Sequence, residues 1–203
     1  MIAIIDYGVG NLFSLISSFK KIGADITVTA DPEVIKAADG IILPGVGAFE
    51  DAAKKLRDTG LDKVVIAEAQ NGKKLMGICL GMQMLFEKSF EYGEHKGLGL
   101  LKGNIIPMQN TIPNNLKIPH IGWNALHLTR DSEIFKYINA NDCVYFVHSY
   151  YAADCDDSVI ATAEYGKELT AAVQNGNIFG CQFHPEKSGE VGLNILRAFC
   201  EME

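Results

Sequence analysis

Apolar positions in the first half of the chain alternate between two periods. Ile2 to Ile5 is an unbroken apolar run, as expected of a strand buried on both faces. Leu12, Leu15, Ile16, Phe19 and Ile22 then recur at helical spacing, and Gly23 is placed to end that helix. Ile26 to Val28 predicts the next strand. Asp31-Pro32 predicts a helix start, a cap followed by a pre-set φ. Ile41 to Leu43 predicts a third strand that runs out into Pro44-Gly45-Val46-Gly47. Helical patterns follow through Leu56 and over Val64 to Ala69. Leu75, Met76 and Ile78 lead as a strand into Cys79, and Met82, Leu85 and Phe86 predict one face of the next helix.

After Gly97 the texture changes. Short strand-like runs appear at Leu100-Leu101, Ile105-Ile106, Asn124 to Leu128, Val144 to Val147, Val159 to Ala161 and Ala171 to Val173. Turn residues separate them, as at Asn141-Asp142 and Asn175-Gly176. Val191, Leu193, Ile195, Leu196 and Phe199 predict a closing helix. Phe90 to Gly97 and Gln109 to Lys117 match no pattern and are expected as surface loops. There is no repeat, low-complexity tract or linker. The expectation is one α/β domain over 1–203: βα units forming an open sheet, extended by later antiparallel strands.

Composition changes this picture little. Of 203 residues, 48% are hydrophobic and 21% charged, the range of a soluble globular domain. The net charge of −7 comes without a basic stripe, which argues against nucleic acid. Lys20-Lys21, Lys54-Lys55 and Lys73-Lys74 are expected on solvated faces. No apolar run reaches about 18 residues, so no membrane span is expected. The segment Met1 to Asp6 lacks a basic n-region and a cleavage site. Five cysteines (79, 143, 155, 181 and 200) form an odd set without metal-knuckle spacing, which suggests a reducing cytoplasm and predicts no metal site.

Two segments carry chemistry. Gly77-Ile78-Cys79-Leu80-Gly81 has the form of a nucleophile elbow: a strand stops, one reactive residue sits on a sharp turn, and a helix begins. A helix N-terminus favours a thiolate. Gln182-Phe183-His184-Pro185-Glu186 supplies a base and an acid two residues apart, on one side of an extended backbone. Together they predict a Cys79–His184–Glu186 triad. Pro44-Gly45-Val46-Gly47, at a strand's carboxyl end, is placed to offer backbone N–H groups to an oxyanion. The other cysteines have no such setting and are expected as packing or surface residues. Of the five histidines, His95 and His127 are expected at the surface, and His120 and His148 in structural roles.

These motifs resemble the class I, triad-type glutamine amidotransferases, whose flavodoxin-like fold is an open, mostly parallel sheet with flanking helices and extra antiparallel strands. More narrowly, Asp6-Tyr7-Gly8-Val9-Gly10-Asn11, Pro119-His120-Ile121-Gly122-Trp123-Asn124 and His184-Pro185-Glu186-Lys187-Ser188 resemble the glutaminase subunits of imidazole glycerol phosphate synthases, in histidine biosynthesis. The resemblance runs over essentially the whole chain. It implies that Cys79 attacks the side-chain amide of glutamine, that His184 shuttles protons and that Glu186 orients it. It implies oxyanion donors at Leu80 and at Val46 or Gly47. It implies a substrate pocket formed by Gln83, Glu91, Gly45, His148, Ser149 and Tyr150. It implies no cofactor.

It further implies a (β/α)₈-barrel cyclase subunit as partner in a heterodimer, through which ammonia travels under cover. Asn11, Gly47, Trp123 and Lys187 match positions at or beside that junction, and Trp123, the single tryptophan, suits an interface anchor. Three rivals remain: a paralogous glutaminase feeding a different barrel synthase, for example in surface-sugar amination; a glutaminase for pyridoxal phosphate synthesis, which the Pro119 to Asn124 segment opposes; and a non-enzymatic or peptidase-like relative, which the intact triad with Gln83 opposes.

Overall fold

The computed structural model describes residues 1–109 and 111–202. In chain order the elements are β1 (Ile2–Ile5), α1 (Leu12–Lys21), β2 (Ile26–Thr29), α2 (Pro32–Ala37), β3 (Gly40–Gly45), α3 (Phe49–Asp58), α4 (Leu61–Gln70), β4 (Lys74–Cys79) and α5 (Leu80–Met84). Then come β5 (Phe86–Ser89), β6 (His95–Lys96), β7 (Leu101–Pro107), β8 (His120–Ala125), β9 (His127–Leu128), β10 (Cys143–His148), β11 (Tyr150–Ala153), β12 (Val159–Glu164), β13 (Glu168–Asn175), β14 (Ile178–Cys181) and α6 (Gly189–Glu201).

The main sheet has the order β2-β1-β3-β4-β14-β13-β12-β9. The run from β2 to β14 is parallel, and β13, β12 and β9 extend it antiparallel. Helices cover both faces, as a sheet of buried apolar strands requires. The alternation in β1 shows the division. Ala3 and Ile5 pack with Ile35, Phe49, Leu56 and Val65 of α2 to α4. Ile2 and Ile4 pack with Leu15 and Phe19 of α1 and with Ile195 and Phe199 of α6. Local signals set the helix ends. Asn11 caps α1, its Oδ1 accepting from Ser14 N, and Asp31 caps α2 by accepting from Glu33 N at 2.9 Å, with Pro32 following.

Several expectations are corrected. Leu85 and Phe86 do not continue a helix: α5 ends at Met84, and Phe86 opens β5, which pairs in parallel with β7. Pairing in a second sheet, of order β11-β7-β5-β6, overrides the helical period there. Asn124 to Leu128 is not one strand. β8 pairs with β10 in a two-stranded sheet, while β9 joins the main sheet. The polar start of β8, from His120, hid it from an apolar-run criterion. Phe90 to Gly97 contains β6. In the Gln109 to Lys117 stretch, Ile112 is buried with Met108, Tyr151 and Leu169 in a small third core; Asn110 lies outside the described residues.

The Lys73-Lys74 pair is not on a solvated face. Lys73 pairs with Glu68 at 2.7 Å and donates to the carbonyls of Ile35 and Lys36. Lys74 is buried and donates to the carbonyls of Cys200 and Met202, which holds the end of α6 to the sheet. Among the described residues, no helix is long and apolar enough to cross a membrane.

Candidate active site

Parallel pairing brings three strand ends together. In register, Gly45 lies opposite Cys79 and Pro44 opposite Ile78 on one side of β4, while Cys181 lies opposite Ile78 on the other. The residues that leave β3, β4 and β14 therefore emerge side by side at the carboxyl edge of the sheet, where ligands bind in open α/β folds. Those residues are Val46-Gly47, Cys79 and Gln182 to His184.

Cys79 sits at φ 54°, ψ −111° between β4 and α5. A non-glycine residue at positive φ is strained and persists only where its surroundings dictate it. Close packing supplies that constraint. A Cβ on Gly81 would lie 1.9 Å from the Leu43 carbonyl oxygen, and one on Gly77 would lie 2.6 Å from the Met82 backbone. The two glycines let α5 press against β3 and β4, and the turn between them carries the thiol outward. Cys79 is 8% exposed.

His184 leaves β14 in extended conformation at the start of a short 3₁₀ turn, Pro185–Lys187. Its Nδ1 lies 2.8 Å from Glu186 Oε1, and both side chains are 3% exposed. Burial alone pulls an imidazole down. Here hydrogen bonds and charge from Cys79 and Glu186 outweigh burial and raise the His184 pKa from 6.5 to about 9. The turn is tied in place. His184 N donates to the Tyr145 carbonyl at 3.0 Å, and Ser188 Oγ donates to the His184 carbonyl at 2.6 Å while accepting from Tyr145 N at 2.9 Å.

A cavity of about 540 Å³ opens over these groups. Its lining includes Val46, Gly47, Cys79, Leu80, Gln83, Glu91, His148, Ser149, Tyr150, His184 and Lys187. Gln83 is buried, and its Nε2 donates to Gln182 Oε1 at 3.0 Å and to the Tyr150 carbonyl at 3.2 Å. Glu91 Oε2 accepts from Phe49 N at 2.6 Å. Gly47 has φ 89°, a backbone state that favours glycine, with open space where a Cβ would point.

Other predicted residues stand outside the cavity. Gly45 does not line it. A Cβ there would meet Gly81 N at 2.6 Å, so this glycine serves the packing of β3 on α5. Asn11 is the cap of α1. Trp123 is 56% exposed, its ring 6.2 Å from that of Tyr145, over which Lys187 Nζ lies at 5.9 Å. Val46, Ile118 and Ile121 are exposed apolar side chains as well, the first two on the cavity's wall.

Sequence reasoning assigned no role to Gln182, Tyr7 or Ser188. Gln182 is fully buried, with Nε2 3.8 Å from Cys79 Sγ. Tyr7 Oη donates to the Pro44 carbonyl at 2.7 Å and steadies the exit of β3. Gln182 and Ser188 flank the triad segment closely enough for their position to have flagged them. Tyr7 lies within the Asp6 to Asn11 motif, but nothing in that motif indicates the contact of its hydroxyl with Pro44. Of the other cysteines, 155 and 181 are buried and 143 is exposed. His95 is largely covered rather than superficial, 3.7 Å from Glu50, and His127 pairs with Glu168 at 3.0 Å.

The family model described as glutamine amidotransferase class-I matches residues 3–202. The chain is 49% identical, over all of its length and 98% of the relative's, to the imidazole glycerol phosphate synthase subunit HisH of Caldanaerobacter subterraneus subsp. tengcongensis. It is 48% identical to the subunit of that name from Methanothermobacter thermautotrophicus, again over 100% and 98% of the two chains. The fold is similar to a crystal structure of a glutamine amidotransferase (TM-score 0.75, 18% identity, 98% and 99% covered). It is similar also to PurLQS from Thermotoga maritima (TM-score 0.76, 22% identity, 98% and 96% covered).

Proposed function

The chain belongs to the class-I glutamine amidotransferases and, within them, to the HisH subunits of imidazole glycerol phosphate synthase, and from that premise we propose how its site works. It hydrolyses glutamine to glutamate and ammonia. Cys79, as thiolate, attacks the side-chain amide carbon, and the carbonyl oxygen takes up the negative charge. The N–H of Leu80 and that of Val46 or Gly47 receive that charge. Collapse of the tetrahedral intermediate breaks the C–N bond. The His184 imidazolium gives its proton to the departing nitrogen, which leaves as ammonia. The thioester remains. Neutral His184 then takes a proton from water, the hydroxide attacks the thioester, and glutamate departs as the Cys79 thiolate returns.

The observation that carries this reading is the His184–Glu186 contact of 2.8 Å beside a cysteine held at positive φ. It joins an oriented base to a nucleophile on a strained turn. Gln83 and Glu91 hold the amino-acid end of glutamine, with His148, Ser149 and Tyr150 as the opposing wall. Gly45 contributes by letting β3 approach the elbow.

Free ammonia in water would be protonated and lost. The partner is a (β/α)₈-barrel cyclase subunit that receives it directly, in the cytoplasm. Exposed Val46, Ile118, Ile121 and Trp123, close to the cavity, support a docking face there. Asn11 and Lys187 flank it. Gly47 gives the oxyanion segment freedom to turn a peptide, so the partner's state governs whether the second N–H faces the substrate.

The test is glutamate release by the free chain, the complex, and the complex with a cyclase ligand, together with labelling by a glutamine-analogue electrophile. Label is expected on Cys79, and the liganded complex is expected to exceed the free chain by about 10²–10³-fold, the worth of one oxyanion donor. Equal rates would refute partner gating, and label elsewhere would refute the nucleophile.

A further inference from the structure

His120 and His148 form a buried pair that the proposed triad leaves unused. They lie opposite each other in the β8–β10 ladder, with His120 Nδ1 3.1 Å from His148 Nε2. The protons on these rings follow from their neighbours. His148 Nδ1 lies 2.9 Å from the Tyr150 carbonyl oxygen, which can only accept, so His148 carries its proton on Nδ1. Its Nε2 is then a bare acceptor, and His120 must donate to it from Nδ1. His120 Nε2 is in turn an acceptor, 3.4 Å from the Asn124 amide nitrogen. That nitrogen also donates to the Glu164 carbonyl at 2.7 Å, while Asn124 Oδ1 accepts from Ala125 N at 2.9 Å. The amide orientation is thereby fixed, and the chain of donors runs one way, from Asn124 through His120 and His148 to the Tyr150 carbonyl.

Two further features fit a wire of neutral rings. Burial brings the pKa of each histidine down to about 4. The His120 ring is stacked between Phe146 and Tyr165, with centroids 4.8 and 4.1 Å away, so it cannot swing to another partner without losing both. At its far end the wire meets the cavity, because the Tyr150 carbonyl also accepts from Gln83 Nε2 at 3.2 Å.

We propose that His120 is a positioning residue for the glutamine pocket, fixing through His148 the Tyr150 carbonyl against which Gln83 is set. The proposal rests on the glutaminase reading above. It gives β8 two tasks at alternate positions: Ile121 and Trp123 face outward, while His120 and Asn124 carry the polar wire.

The experiment compares wild type, His120→Phe and His120→Asn, each assembled with the cyclase subunit. Phe keeps the stacked ring and removes the donor. Asn returns an N–H at the position of Nδ1. His120→Phe is expected to lower kcat/KM for glutamine roughly tenfold, the effect of stranding one buried acceptor, and His120→Asn to recover most of it. Nitrogen-15 spectra of the wild type are expected to show both rings neutral at pH 6 with the proton on Nδ1. Unchanged kinetics in His120→Phe, or no recovery in His120→Asn, overturns the proposal while leaving the glutaminase reading intact. So does a His148 proton on Nε2, which decides the matter even if the Phe variant does not fold. A wild-type complex that releases no glutamate sinks the reading and the proposal together.

Discussion

The parallel half, residues 1–85, and the later half, antiparallel apart from β14 and the β5–β7 pair, feed one cavity with different kinds of chemistry. The first half supplies a thiol on a strained elbow and the glycine-bearing exit of β3, both set by close strand–helix packing, together with the Gln83 side chain. The second supplies groups held in place by partners distant in sequence. His184 is tied to Tyr145, His148 to His120, and Gln182 to Gln83. The proposed nucleophile thus stands where strand and helix pack most closely, and a misplacement of an ångström there would be costly. The groups proposed for proton transfer, most of those proposed for substrate contact, and most of the exposed apolar face belong to the later half.

Removing the nucleophile should separate the halves most completely. Cys79→Ala is expected to abolish glutamate release, a loss on the order of 10⁶-fold by analogy with other triads, with the fold retained. Activity near wild type in a steady-state assay would show that the elbow is not the reactive centre.

The next largest effect lies in the later half. His184→Ala is expected to cost nearly as much as Cys79→Ala, and Glu186→Gln roughly tenfold to a hundredfold less, because an orienting group is partly replaceable. The pH profile sharpens this. His184 is raised to about 9, so its imidazolium persists through neutral pH and is lost as the pH climbs through that value. The leaving nitrogen needs that proton, so kcat/KM should fall on the alkaline side near pH 9. Taking away the Glu186 charge should move the limb to lower pH. A limb that stays in place would dissociate Glu186 from the titration.

The smallest effect concerns the outer face. Trp123→Ala is expected to leave the free chain's thermal midpoint and basal glutaminase rate nearly unchanged. It should weaken association with the cyclase subunit by about 2 kcal/mol, some thirtyfold in Kd. Titration of the two purified subunits measures this, and an unchanged Kd would mean that Trp123 is not an anchor.

Much of the parallel half was legible in the sequence because its signals are local. An apolar run buried on both faces, a cap such as Asp31-Pro32 and an elbow such as Gly77 to Gly81 each act within a few residues. The proposed triad was legible because Cys79 advertises its turn and His184 and Glu186 are only two apart, although the 3₁₀ turn Pro185–Lys187, and not the extended backbone expected from the sequence, brings those two together. Tertiary structure decided the rest. Phe86 became a strand because β7 was there to pair with it. Lys73 and Lys74 were drawn inward by carbonyls at Ile35, Lys36, Cys200 and Met202. No period of apolar residues could reveal β8, whose inner face is buried His120 and half-buried Asn124, because a buried polar group is stable only once every donor has found its acceptor. Those acceptors lie on β10, on β12 and at Tyr150, far along the chain.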